Sequence, residues 1–188
     1  MHSTTAYSHR ASLLTAMARK IDLACQGAAD KLPQAVARIL CEQGSDAVLL
    51  TPEQCKGNDQ CYTRHLLYAD PAGRYTVVAI VWSPGQQTPV HAHYTWCAYR
   101  VFSGSLEEDR YQWDAGHACA HHGATVARVA GQTGFGHAGM DQIHRLRNTS
   151  AHPAISIHVY GVDAARVSTH VNRLAPEAHE SQREAELA

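Results

Sequence analysis

Two hydrophobic periodicities divide the chain. Between about 10 and 27, Leu13, Leu14, Met17 and Ile21 recur at helical spacing, and Gly27 is placed to stop the helix. A second helix is expected from about Lys31 or Pro33 to Gln43. Val36, Ile39 and Leu40 form its apolar stripe, Pro33 suits its first turn, and Gly44 suits its C-terminal end. Thr51-Pro52-Glu53 reads as a third, short helix start. From Cys61 the pattern changes to short strands. They are expected at 62–68, 75–82, 90–93, 96–102, 106–112, 124–130, 143–147 and 154–160, with Asp70-Pro71-Ala72-Gly73 as a turn between the first two. The stretch 113–123, with His117, His121 and His122, is polar and is expected as an exposed loop of solvated histidines. After Gly161 the chain turns polar, and from about Pro176 it reads as a frayed, charged tail.

Many short strands separated by turn signals predict a mainly β sandwich or barrel. The length of 188 residues suits one domain. Its expected parts are a helical portion at about 1–58, a barrel at about 60–161 and an extension at 162–188. The net charge of −1 offers no basic field for nucleic acid or an anionic membrane. No apolar run is long enough to span a membrane. The start, MHSTTAYSHR, lacks the apolar region of a signal peptide, so a cytoplasmic location is expected. Six cysteines are dispersed with no CxxC pair, and reduced thiols are expected.

Candidate chemistry centres on His91-Ala92-His93. Alternation along a strand turns both imidazoles the same way, so they can meet one metal ion. The plain alternative is a pair of ordinary surface histidines among the 14 in the chain. The surrounding spacing argues for ligands. Gly85, five residues, His91, one, His93, three, Cys97, six, Gly104 resembles the first metal-binding motif of the cupin superfamily, whose Cys97 position is usually a glutamate ligand. His144, three residues and Asn148 resemble the end of the second motif, while Gly131 and His137-Ala138-Gly139 depart from its beginning. The residues 134–139 also fit GxGxxG, but no βαβ pattern surrounds them, so they are expected as a tight loop leading to His144. Three imidazoles would leave a divalent metal its full charge and open positions for anionic substrate groups. The same set suits zinc.

Two more stretches narrow the chemistry. In Ser156-Ile157-His158-Val159-Tyr160, alternation puts Ser156, His158 and Tyr160 on one face. Three polar groups there are costly inside a barrel unless they bond one another, and such a chain can end at a catalytic phenol. The alternative is a solvent-facing stripe. In Tyr62-Thr63-Arg64-His65-Leu66, Arg64 can clamp a carboxylate through two parallel hydrogen bonds; the alternative is a snorkelling surface arginine.

Together YTRHLL, the Gly85–Gly104 motif, HRLRN and SIHVY resemble the thiol dioxygenases, the cysteine dioxygenase family of single-domain cupins, over about 60–161. The resemblance implies a double-stranded β-helix, or jelly-roll barrel, with the N-terminal helices packed outside. It implies one mononuclear non-haem Fe(II) held by His91, His93 and His144, with O2 as co-substrate and a sulfinate as product. Arg64 would bind the carboxylate of a small thiol substrate, and Tyr160 would be the phenol beside the iron, with Ser156 and His158 as its relay. Animal members join a cysteine matching Cys97 to the active-site tyrosine, which implies a Cys97–Tyr160 thioether. Arg64 matches the cysteine-using type, while the shorter His93–Cys97 spacing is more like the bacterial pattern. Cysteine, 3-mercaptopropionate and mercaptosuccinate stay open as substrates. Of the arginines available for a second carboxylate, Arg100, Arg145, Arg147 and Arg166, alternation turns the first three away from the histidine face. A non-oxidative cupin isomerase or hydrolase, or a non-catalytic ligand-binding cupin, would carry the same metal motif.

Overall fold

The structure, a computed structural model, describes residues 2–42 and 49–178. Helix α1 (His2–Ala24) and helix α2 (Leu32–Cys41) come first. Among the described residues ten strands follow: β1 (Thr63–Ala69), β2 (Thr76–Trp82), β3 (His91–His93), β4 (Cys97–Ser103), β5 (Ser105–Asp114), β6 (Cys119–Val129), β7 (Thr133–Gly136), β8 (Gly139–Arg147), β9 (Ala154–Tyr160) and β10 (Asn172–Leu174). They form two five-stranded antiparallel sheets, ordered β1-β2-β9-β4-β7 and β10-β3-β8-β5-β6. This is the mainly β barrel with outer helices that the sequence predicts.

The first sheet is covered on both faces, which explains the near-continuous apolar sequences of β2 and β9. Val77, Ala79, Val81, Ile155, Ile157 and Val159 pack against Met17, Ile21, Val36 and Leu40 of the helices. Val78, Ile80 and Trp82 turn the other way, into the barrel, with Leu106 and Leu146 of the second sheet. The helices thus make β2 and β9 a rigid inner wall for whatever the barrel holds.

Several expectations change. Helix α1 ends at Ala24, before Gly27, and Gly44 lies outside the described residues. The third helix is a single 3-10 turn, Glu53–Cys55, capped where the Gln54 N–H donates to Thr51 Oγ1 at 3.3 Å. The loop expected at 113–123 is a hairpin: β5 runs on to Asp114 and β6 begins at Cys119. Its histidines read as loop by composition, yet backbone pairing continues through His121 and His122; His117 sits in the turn, its Nδ1 2.7 Å from Asp114 Oδ2. The glycine-rich stretch holds strand β7, hydrogen-bonded to β4. Glycine is needed there for close approach, since a Cβ at Gly134 would stand 2.5 Å from the Tyr99 ring. Of the tail expected from about Pro176, residues 179–188 lie outside the described residues, and the chain is docked as far as Ala178. β10 pairs with β3, the Ala120 N–H donates to Pro176 O at 2.7 Å, and the Tyr111 hydroxyl donates to Glu177 Oε1 at 3.0 Å. Pairing of backbone groups, blind to side-chain polarity, overrides the polar composition.

The β1–β2 turn is tied to α1 by charge. Arg74 Nε donates to Asp70 Oδ2 at 2.7 Å, and Arg74 also bonds Asp22 of α1. The hydrogen bond from Arg74 holds the buried Asp70 carboxyl at about 2, below its ordinary 3.8. A lowered carboxyl stabilises the fold above its unfolded value, and the contribution fades as pH falls through the folded value. Asp70→Asn is therefore expected to cost roughly 1–2 kcal/mol at neutral pH, allowing for the half-exposed arginine. Urea unfolding should show that gap closing as the pH approaches about 2. Equal midpoints at neutral pH would reject the assignment.

Candidate metal centre

His91 and His93 share the inner face of β3, as alternation predicts, and His144 arrives from β8 directly opposite His91. The register slips between His91 and His93, and this irregularity lets the three rings converge rather than stack in a row. Ring centroids lie 4.8–5.1 Å apart. One nitrogen from each ring comes within 4.8 Å of the other two, close enough to hold a metal ion. All three side chains are largely shielded from water.

The second nitrogens show which atoms are left for a metal. His91 Nδ1 lies 2.9 Å from Pro89 O, and a carbonyl can only accept, so His91 carries its proton there. His144 Nδ1 lies 3.0 Å from Glu108 Oε1. His93 Nδ1 lies 3.7 Å from Cys97 Sγ. Each Nδ1 is engaged and each Nε2 can point inward. Burial, and then the neighbouring His144, push His91 down to about 3 and hold His93 well below its ordinary value. Neutral imidazole is the ligating form, so the donor set fits a divalent metal.

Glu108 is the residue that motif reading missed. Burial opposes its ionisation, but hydrogen bonds from His144 and Arg128 outweigh this and hold it below the usual carboxylate range. Arg128 donates to Glu108 Oε2 at 2.5 Å and Arg110 at 3.2 Å. A carboxylate behind a ligating histidine fixes the tautomer and the ring orientation. One signal was present in the sequence: Glu108 shares the strand face of the buried Leu106.

Ser156, His158 and Tyr160 are buried on the barrel side of β9. Ser156 Oγ lies 2.7 Å from His158 Nε2, and His158 Nδ1 lies 3.1 Å from Tyr160 Oη. Trp82, unnoticed in the sequence, begins the chain by donating Nε1–H to Ser156 Oγ at 2.8 Å. Indole can only donate, so the Ser156 oxygen accepts from Trp82. With the Ser156 proton directed to His158 Nε2, the neutral ring carries its proton on Nδ1 and donates to the Tyr160 oxygen, which frees the phenol hydrogen to point away; the other tautomer reverses both bonds. Burial keeps His158 neutral and raises the Tyr160 phenol above its ordinary value.

Cys97 stands directly opposite Tyr160 in the β4–β9 pair. Opposed side chains have Cβ atoms roughly 4.5–5.5 Å apart. Alternation from His93 does not explain this, because a turn separates the residues and β3 and β4 belong to different sheets. The sheets face each other, and that brings the thiol into the site. Burial pushes Cys97 up to about 12, so it stays protonated.

Arg64 borders the same cavity as the three histidines, His158 and Tyr160. It is exposed at the mouth, not buried within. Its Nη2 donates to Tyr62 Oη at 3.1 Å, and its guanidinium carbon lies 5.2 Å from the Tyr62 ring centre. Tyr62 in turn packs on Trp82, with ring centres 4.8 Å apart. Arg145 and Arg147 point elsewhere, to Asp109. On the opposite side, a cleft of about 760 Å3 between α2, β7 and the barrel reaches His93, Cys97 and His144.

The family model described as cysteine dioxygenase type I matches residues 3–171. An uncharacterized conserved protein with a double-stranded beta-helix domain from Klebsiella pneumoniae is 18% identical, with a TM-score of 0.52 over 72% of this chain and 98% of that one. TT1209 from Thermus thermophilus is 20% identical, with a TM-score of 0.47 over 58% of this chain and 91% of that one. A cupin 2 conserved barrel domain protein from Salinispora arenicola is 19% identical, with a TM-score of 0.44 over 63% and 89%. The Klebsiella likeness shows the fold alone, whereas the family match takes in the helices, the barrel and the three histidines. The chain belongs to the cysteine dioxygenase type I family.

Proposed function

We propose that the chain is a thiol dioxygenase acting on a small mercapto-carboxylic acid, with cysteine as the favoured type. Both atoms of O2 join the sulfur: RS⁻ + O2 gives RSO2⁻, with atoms and charge balanced. One Fe(II) held by His91, His93 and His144 would supply the site where thiolate and oxygen meet. The observation that carries this reading is the three-histidine set sharing one cavity with the hydrogen-bonded chain from Trp82 to Tyr160. A binding protein has no need of a buried, oriented phenol.

The chain's own residues have distinct tasks in this reading. Arg64 receives the substrate carboxylate at the mouth, held in place by Tyr62. Ser156 and His158 orient Tyr160 so that its hydroxyl can donate to an oxygen atom near the sulfur. Glu108 positions His144. Cys97 and Tyr160 are suited to a thioether: the S–H and a ring C–H bond break, a C–S bond forms, and the two protons and two electrons released would reduce O2 to hydrogen peroxide. The six free cysteines fit a reducing compartment, and we place the enzyme in the cytoplasm.

Oxygen uptake tests the reading directly. Iron-loaded protein is expected to consume O2 with cysteine, and to form the matching sulfinate, with 3-mercaptopropionate and mercaptosuccinate run in parallel. No uptake above a thiol-free control at full iron occupancy, with all three, would reject it.

Mass spectrometry tests the crosslink. Protein that has turned over should be lighter by two hydrogens, with the Cys97 and Tyr160 peptides joined. Cys97→Ser should show the full mass. Two unlinked peptides after prolonged turnover would rule the thioether out.

Metal affinity separates positioning from chemistry. Glu108→Gln is expected to weaken metal binding about 10–100-fold in competition with a chromophoric chelator. Tyr160→Phe should leave that affinity alone and depress turnover. Equal affinities for Glu108→Gln and the parent would remove Glu108 from the metal's support.

A further inference from the structure

The mouth of the cavity has two walls, one from each sheet. Arg64 comes from β1, an edge strand of the first sheet, and Asn172 from β10, an edge strand of the second. Asn172 stands directly opposite His93 in the β10–β3 pair. Opposed residues point to the same face of a sheet, so Asn172 shares the inward direction of His93. It is half-buried, and its carboxamide makes no hydrogen bond among the described residues. An unpaired amide at the edge of a cavity has its donors free for a partner from outside the chain. Asn172 also lies just past residues 3–171, the span matched to the family, so the family match does not account for it.

The cavity's charge indicates which partner. Among the described residues lining it, Arg64 is the one permanent cation and none is acidic. Glu108 lies behind His144, on the side of the larger cleft. The field at the mouth is positive before any metal adds to it, and an anion is the group it favours. A carboxylate has about four acceptor positions, and one guanidinium edge satisfies only part of them.

We propose that Asn172 is a substrate-binding residue: its side-chain NH2 donates to the substrate carboxylate whose charge Arg64 neutralises. This rests on the thiol dioxygenase reading and extends it. The carboxylate is gripped between the two sheets. The distance from that grip to the histidines sets which separations of sulfur and carboxylate are accepted, so Asn172 contributes to specificity among mercapto acids.

Anaerobic titration of the iron-loaded protein tests this without turnover. The probes are 3-mercaptopropionate and cysteine, with cysteamine as a thiol lacking the carboxylate. Asn172→Asp places a negative charge where the NH2 stood, and should weaken both mercapto acids about tenfold or more, a gap of about 1.4 kcal/mol or above. Asn172→Ala should weaken them less. Neither change should weaken cysteamine, and Asn172→Gln should recover part of the loss. Affinities unchanged in Asn172→Asp would overturn the proposal. So would an equal loss for cysteamine, the mark of a merely structural role. Oxygen uptake by the parent protein is measured beside the titrations. If the parent binds mercapto acids but consumes no oxygen, the dioxygenase reading falls while the titrations still judge Asn172. If the parent binds none of them, both fall.

Discussion

Strand β9 is hydrogen-bonded on both sides, to β2 and β4, and buried on both faces. Such a strand cannot slip, since a shift of one residue would exchange its apolar and polar faces. Ile155, Ile157 and Val159 would then face the cavity, and Ser156, His158 and Tyr160 would press into the helices. The same register puts Tyr160 across from Cys97, and Ser156 across from Ile80, beside Trp82. Helices α1 and α2 carry no chemistry, yet their packing against β9 and β2 holds this alignment. The geometry of the phenol is thus secured by apolar contacts on the far side of the sheet.

Around this wall, burial divides the titratable groups into two kinds. His91, His93 and His158 are kept neutral because little faces them that would repay a buried charge. Glu108 is nearly as buried but keeps its charge, because Arg128, Arg110 and His144 surround it. The contrast separates roles. Neutral nitrogens face the cavity where a cation belongs, and the buried Glu108 carboxylate stands behind His144, outside that cavity. A carboxylate in front, as in the glutamate-containing cupin motif, would lower the net charge of the centre and compete with an anionic substrate.

Much of this was legible in the sequence, for a definite reason. His91, His93, Ser156, His158 and Tyr160 sit on strands whose two-residue period assigns their faces without knowledge of the fold. His144, Cys97 and Arg64 needed the family resemblance, because sheet pairing brings them in from elsewhere. Glu108 and Trp82 went unseen. Their partners lie on other strands, and the inward strand face that Glu108 shares with Leu106 does not say which histidine it meets. The errors share a cause. The histidine hairpin at β5–β6 and the glycine strand β7 have polar or small side chains and were read as loops, and β10 lies in a polar extension where no strand was expected. Their structure comes from backbone pairing with neighbours far away in sequence.

Strand β10 gives the barrel a definite order of assembly. β3, with two of the three histidines, has β8 on one side and β10 on the other, so both of its neighbours are made after it. β8 is complete at Arg147, but Asn172–Leu174 follows every other strand. A chain emerging from the ribosome therefore exposes His91 and His93 on an unprotected edge for much of its synthesis. The histidine edge is sealed on that side only when Asn172–Leu174 has paired with it. An ion arriving before β8 and β10 have paired would meet two histidines on an open edge instead of three that converge.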